Sequence, residues 1–88
     1  MNKIKFILGE DKHVKLLVRS PNDEPFVILS ASYELTRYKD VVVKGECDIN
    51  GHYLDCKISP KETGMHILEV TYTVADSIRK ARIEVEVV

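Results

Sequence analysis

An 88-residue chain with 44% apolar and 31% charged residues has the composition of one small globular domain. Its formal net charge is −1 and the two signs alternate along the chain, so no basic patch predicts nucleic-acid binding. No run approaches the roughly 20 apolar residues that span a bilayer, and Met1 to Phe6 has no signal-peptide pattern. We therefore expect one domain over residues 1–88, synthesised in the cytoplasm, with neither a membrane nor a nucleic acid as partner.

The first half of the chain places apolar residues at every second position, which is typical of strands with one buried face. The inward rows of the first two predicted strands are Ile4, Phe6 and Leu8, then Val14, Leu16 and Val18. Ser20 to Pro25 is a loop, because its two prolines fix φ and remove backbone donors. Residues 26–38 are consistent with either a strand pair or one kinked strand.

The second half continues the alternation on both sides of a hairpin. Residues 41–49 place on one face Val41, Val43, Gly45, Cys47 and Ile49. Asn50-Gly51 predicts a type I′ turn, because both residues tolerate positive φ. The return strand turns Leu54, Cys56 and Ile58 inward, and Pro60 ends it.

The last two rows are His66, Leu68, Val70, Tyr72 and Val74, then Ala81, Ile83, Val85 and Val87. About seven antiparallel strands predict an all-β fold, an immunoglobulin-like β-sandwich. Glu62 to Leu68 has the spacing of the D-x-G-x-Y-x-C segment of immunoglobulin domains. Gly64 stands at the glycine of that segment and is expected to take an unusual φ, while His66 stands at the tyrosine.

The two cysteines lie on either side of the predicted hairpin. A turn at Asn50-Gly51 sets Cys47 diagonal to Cys56, with Cα atoms about 7–8 Å apart, whereas disulfides prefer about 5.5–6 Å. A turn at Gly51-His52 would place the cysteines opposite each other, with a weaker turn signal. We expect two reduced, buried thiols, with a bridge as the alternative. Close Cys or His partners are lacking, so no metal or other cofactor is expected.

The other polar residues have simple structural interpretations. His13 and His52 fall at outward or turn positions, and His66 is expected at the edge of the core with a backbone hydrogen bond. The acidic pairs Glu10-Asp11 and Asp23-Glu24 are expected to be solvated, since they lack the spacing of a calcium loop. No serine or cysteine is spaced with a histidine and a carboxylate in a catalytic pattern, so no enzymatic activity is predicted.

Two sets of exposed residues are candidates for binding. Tyr38 and Tyr53 lie outside the inward rows and are the candidate contacts for a carbohydrate. A more apolar outward row, predicted to border any protein interface, consists of Met65, Ile67, Thr71 and Thr73.

Four segments resemble, in the same order, the immunoglobulin-like domains of phage baseplate upper proteins and related tail components from Gram-positive hosts. They are Gly9 to Asp11, Phe26 to Leu35, Lys44 to Cys47 and Ser59 to Gly64. The similarity extends from about Gly9 to Val85 and lies in turns and core positions. It implies a structural module of a virion or prophage that spaces, decorates or docks parts of a tail. It supplies no catalytic or ligand residues.

The sequence thus favours a non-enzymatic module for assembly or adhesion, with tail components or a second copy of the chain as partners. Free sheet edges provide a physical route to such docking. One alternative is a carbohydrate-binding or accessory domain of a secreted or cell-surface protein. Another is a small enzyme or metal protein that uses the cysteines with His52.

Overall fold

The computed structural model describes residues 2–19 and 25–88, and within them the chain forms strands and turns but no helix, hence none able to cross a membrane. The strands are β1 (Asn2–Phe6), β2 (Lys12–Leu17), β3 (Ile28–Arg37), β4 (Asp40–Glu46), β5 (Asp48–Asn50), β6 (Tyr53–Ile58), β7 (Gly64–Val74) and β8 (Ser77–Val87). They form a five-stranded sheet in the order β1-β8-β7-β3-β4 and a three-stranded sheet in the order β2-β6-β5. The all-β class is confirmed.

One hydrophobic core is built from the buried side chains of both sheets. The five-stranded sheet contributes alternate residues of β7 and β8, among them Leu68, Val70 and Val85, all fully buried. The three-stranded sheet contributes Leu54 and Ile58 from β6. Burying each such side chain is worth about 1.5–3 kcal/mol before chain entropy is subtracted. The inward rows predicted for these strands are confirmed.

Residues 41–49 do not form the single strand that was predicted. β4 ends at Glu46 in the five-stranded sheet and β5 begins at Asp48 in the other sheet. Between them, the backbone N–H of Cys47 donates to the carbonyl of Ala31 at 3.1 Å. The chain changes sheets at Cys47, so the described residues form eight strands rather than seven.

A β-bulge on β4 also changes which residues face the core. Leu35 pairs with Val43 and Thr36 pairs with Val41, so Val42 is the extra residue of β4. Val41 and Val42 are 49% and 43% exposed, although Val41 was predicted to face inward. A bulge re-aims the side chains around it, and hydrophobic alternation cannot reveal one in advance.

β1 runs parallel to β8, from Asn2 opposite Ile83 to Phe6 opposite Val87. The prediction of an entirely antiparallel arrangement was therefore wrong. Alternation specifies the buried face of a strand and contains no information on its direction. The pairing makes β1 an edge of the five-stranded sheet, while β2 is an edge of the three-stranded sheet.

Tyr33 connects the two sheets across the core. Its hydroxyl, on β3, donates a hydrogen bond to the carbonyl of Lys57 on β6 at 3.1 Å. The ring lies over Gly45, its partner on β4, where an added Cβ would approach the ring to 3.1 Å. Glycine at that position leaves room for the aromatic ring.

Candidate functional site

A disulfide joins Cys47 and Cys56, which corrects the prediction of two reduced thiols. The β5–β6 hairpin pairs Asn50 with Tyr53, so its loop is Gly51-His52 and the two cysteines are opposite each other with Cα atoms 4.7 Å apart. Gly51 has φ +62° and His52 has no positive φ, which is typical of a type II′ turn and not of the predicted type I′. The bridge spans two adjacent strands of one sheet.

His52 is exposed, as expected at a turn position, and it makes contacts that stabilise this turn. Its ring stacks on Phe26 with centroids 4.0 Å apart, and its Nε2 lies 3.2 Å from the carbonyl oxygen of Phe26. Its own carbonyl accepts a hydrogen bond from the backbone N–H of Val18 at 2.9 Å. These contacts favour the Gly51-His52 loop, although turn propensity alone favours a turn at Asn50-Gly51.

The other two histidines have different surroundings. His66 is buried, and its Nδ1 lies 3.1 Å from the carbonyl oxygen of Gly64, as expected for a histidine at the core edge. Gly64 has φ +115°, the unusual conformation expected for it. His13 is exposed, with its Nδ1 2.7 Å from Asp55. No three His, Cys, Asp or Glu side chains of the described ranges are grouped to hold a metal ion.

The loop between β1 and β2 orders its acidic pair through local hydrogen bonds. Glu10 accepts from the backbone N–H of Ile7 at 2.5 Å and forms an ion pair with Lys12. The Ile7 hydrogen bond is the main cause of a lowered pKa for Glu10. Asp11 accepts from the Ser59 hydroxyl, which lowers its pKa as well. The other predicted acidic pair, Asp23-Glu24, lies outside the described residues.

Tyr38 and Tyr53 are both exposed, but the fold does not bring them together. Tyr38 is in the β3–β4 turn, 3.9 Å from where a Cβ of Gly64 would lie. Tyr53 begins β6 opposite Leu17, at the far end of the three-stranded sheet. No shared platform for a sugar ring results from these two tyrosines.

The outward row predicted for an interface lies on β7, in the middle of the outer face of the five-stranded sheet. Met65 is 41% exposed, whereas Ile67, Thr71 and Thr73 are half-buried. Glu69 interrupts the row between Ile67 and Thr71, and its carboxylate contacts Arg82 at 2.7 Å and Lys80 at 3.2 Å. The row is therefore divided by a charged cluster into an apolar segment with Met65 and Ile67 and a threonine segment with Thr71 and Thr73.

This cluster yields a prediction about acid stability. The hydrogen bond from Arg82, and after it the one from Lys80, lowers the pKa of Glu69 below its ordinary value of 4.5. A carboxyl with a lowered folded-state pKa contributes stability above the unfolded value, which is lost as the pH falls through the folded value. We expect Glu69→Gln to lower the free energy of unfolding at pH 7 by about 0.2–1 kcal/mol.

The difference between wild type and Glu69→Gln should shrink as the pH falls below 4.5 and disappear below the lowered folded-state pKa of Glu69, where the wild-type carboxyl is uncharged as well. Urea denaturation from pH 7 to pH 3 measures it. Glu46→Gln is the matched control, since Glu46 is exposed and forms no ion pair with any described residue. A Glu69→Gln deficit that persists unchanged at pH 3 would contradict the assignment.

A groove of about 420 Å³ lies between the free edges of β1 and β2. We call it the edge groove; its lining residues are Ile4, Lys5, Phe6, Lys12, His13, Val14 and Lys15. Apolar side chains form its floor, where Phe6 and Val14 belong to the core. Basic side chains form its rim, and none of the lining residues is acidic. In a chain with a net charge of −1, this is a local concentration of positive charge.

Two of the basic rim side chains contact carboxylates outside the edge groove. The other two lie opposite carboxylate residues in the strand pairing, Lys5 opposite Glu86 and Lys15 opposite Asp55. Lys12 contacts Glu10 at 3.2 Å and also lies 5.2 Å from the centroid of the Phe6 ring. His13 contacts Asp55. Lys5 and Lys15 form no ion pair with any residue of the described part of the chain. Both lysines line the edge groove.

Sequence reasoning missed the edge groove. The lysines of β1 and β2 alternate visibly with apolar residues in the sequence, and this was the available signal. The pairing of β1 with β8 and of β2 with β6 makes both strands sheet edges, and residues of both line one groove. Both pairings are between residues distant in the chain.

No family model and no curated protein matches this chain. A crystal structure of an engineered protein, determined by the Northeast Structural Genomics Consortium, is similar to it over 99% of this chain with a TM-score of 0.75 and 16% sequence identity. The chain spans 18% of the length of that protein. At this level of identity the similarity concerns the fold alone.

Proposed function

We propose that this chain is a non-enzymatic interaction module that binds other proteins through its strand edges. The observation that carries the proposal is the edge groove, where two strands that have no second neighbour among the described strands flank an apolar floor. An edge strand presents unpaired N–H and C=O groups, to which an incoming strand adds in a common mode of protein recognition.

We propose further that the fold is an immunoglobulin-like variant. Its three-stranded order β2-β6-β5 parallels strands B, E and D of immunoglobulin domains. The order β8-β7-β3-β4 parallels G, F, C and C′ of the variable type. The Cys47–Cys56 bridge lies within one sheet, unlike the inter-sheet bridge of antibody domains, and the similar spacing of Glu62 to Leu68 supports the relation.

A place in a phage or prophage tail is the setting we propose for this module. The resemblance of four segments to baseplate upper proteins supports it. The disulfide supports an oxidising location, such as the outside of a virion, because disulfides persist poorly in reducing cytosol. Portal, tape-measure or holin genes beside the coding sequence would agree with this setting, and their absence would count against it.

Site-specific photocrosslinking tests the interaction proposal. A photoreactive residue at Lys5 or Lys15 lies on the edge groove, whereas one at Ile67 lies on the outer face of the five-stranded sheet. With the neighbouring gene products co-expressed, we expect the edge positions to crosslink to one defined protein and the Ile67 position to give no adduct.

The predicted interface row is the rival location on the same molecule. Charged substitutions at Met65 and Ile67 are expected to leave partner binding intact if the edge groove forms the interface. Loss of binding in these variants, with edge-groove variants unaffected, would move the interface to the outer face. The absence of specific adducts from every position would reject the interaction module itself.

A further inference from the structure

We infer that the edge groove binds an extended peptide segment in which acidic and apolar residues alternate. The inference rests on the proposed function and specifies the chemistry of the partner.

The free edge of β1 presents the backbone groups of Lys3 and Lys5. The carbonyl of Phe6 accepts from the backbone N–H of Val88 at 2.9 Å, so the even-numbered residues of β1 face β8. Backbone groups of successive residues in a strand alternate in direction. The N–H of Ile7 confirms the alternation, because it points away from β8 to the carboxylate of Glu10.

The free edge of β2 presents the backbone groups of His13 and Lys15. Cys47 donates its N–H to Ala31, away from β6, and its Cα lies 4.7 Å from that of Cys56, which fits a non-hydrogen-bonded pair. Cys56 therefore directs its N–H and C=O to β2, where its partner is Val14. His13 and Lys15, on either side of Val14, direct theirs to the edge groove.

Charge and spacing then specify the ligand. On β2 the side chain of Val14 faces the core, while His13 and Lys15 face outward. A strand added to this edge shares the same two faces, since side chains alternate with a period of two. Its inward residues meet Ile4, Phe6 and Val14, and its outward residues meet Lys5 and Lys15. Apolar and acidic side chains, respectively, complement these surroundings.

Other strand edges of the molecule fit this role less well. The β4 edge contains the bulge at Val42, and bulges twist an edge away from pairing. A second copy of the chain offers the edge of β5, which contains Asp48, but that strand is only three residues long, against six in β2. A segment of another protein with at least six extended residues covers the whole edge.

The test uses the full chain and a fluorescent, end-capped peptide in which Glu and Val alternate over about seven residues. A peptide of the same composition with the Glu and Val residues in two blocks is the control. Fluorescence anisotropy is expected to show at least about tenfold tighter binding of the alternating peptide. Hydrogen exchange is expected to show new protection at the amides of His13 and Lys15.

Variants locate the site. Lys15→Glu and Lys5→Glu are each expected to weaken binding by about tenfold, since they place like charges against the ligand. Lys44→Glu, an exposed lysine on the β4 edge, is the matched control and should leave the affinity within about twofold. Circular dichroism verifies that all three variants remain folded.

Three outcomes overturn the inference. Equal binding of the blocked peptide, or equal competition by poly-aspartate, indicates a charge effect without strand addition. If the alternating peptide does not bind, while the photoreactive residue at position 15 still crosslinks to a neighbouring gene product, the acidic peptide is rejected as the ligand. The proposed function as an interaction module is then retained. A concentration-dependent dimer that Lys15→Glu abolishes would instead make a second copy the occupant and overturn it too.

Discussion

Reduction of the Cys47–Cys56 bridge is expected to lower the free energy of unfolding by about 2–3 kcal/mol. The two cysteines are separated by 9 positions, and the bridge removes the closure entropy of that loop from the unfolded chain. Domains of this size have total stabilities near the low end of about 5–15 kcal/mol. The bridge therefore accounts for a large share of the stability.

Urea denaturation with and without equilibrated reductant measures this effect, with alkylation and mass spectrometry reporting the thiol state. Reduction leaves both sulfur atoms in the core, so it isolates the crosslink. The double variant Cys47→Ala, Cys56→Ala should lose more, because Cys56 is fully buried and its removal leaves a void. Identical urea midpoints in oxidised and reduced protein, with two alkylated thiols in both, would exclude the bridge.

The β5–β6 hairpin shows why the sequence predicted its buried faces but not the disulfide between Cys47 and Cys56. The Asn50-Gly51 and Gly51-His52 turns differ by two positions in strand pairing, so every side chain keeps its face in either arrangement. Leu54 and Cys56 are buried in both, and hydrophobic alternation cannot choose between them. The stacking of His52 on Phe26 favours the second turn, and this contact links residues 26 positions apart.

Hydrophobic alternation also could not predict the edge groove, because it contains no information on long-range pairing. Alternation predicted correctly that Phe6 and Val14 face the core. It gave no sheet order, so it did not predict that β1 pairs with β8 and leaves a gap beside β2. Lys5 and Lys15 border one groove only because of that order. Strand content is local information, whereas an edge site depends on long-range pairing.

Leu68→Ala is expected to lower the free energy of unfolding by about 3–4 kcal/mol. Leu68 is fully buried on β7, with Leu35 of β3 on one side and Ile83 of β8 on the other. All three strands are held in register by the sheet, so their backbones cannot close over the lost methyl groups. The cavity term therefore adds to the lost transfer free energy.

Ile67→Ala is the matched control, one position away on the same strand. Ile67 is half-buried on the outer face, between Thr36 and Glu84, so its truncation opens no internal cavity. We expect a loss of about 1 kcal/mol or less, measured by the same urea titration. Comparable losses at the two positions would mean that β7 does not have one buried face. The core between the two sheets, and with it the apolar floor of the edge groove, would then be misassigned.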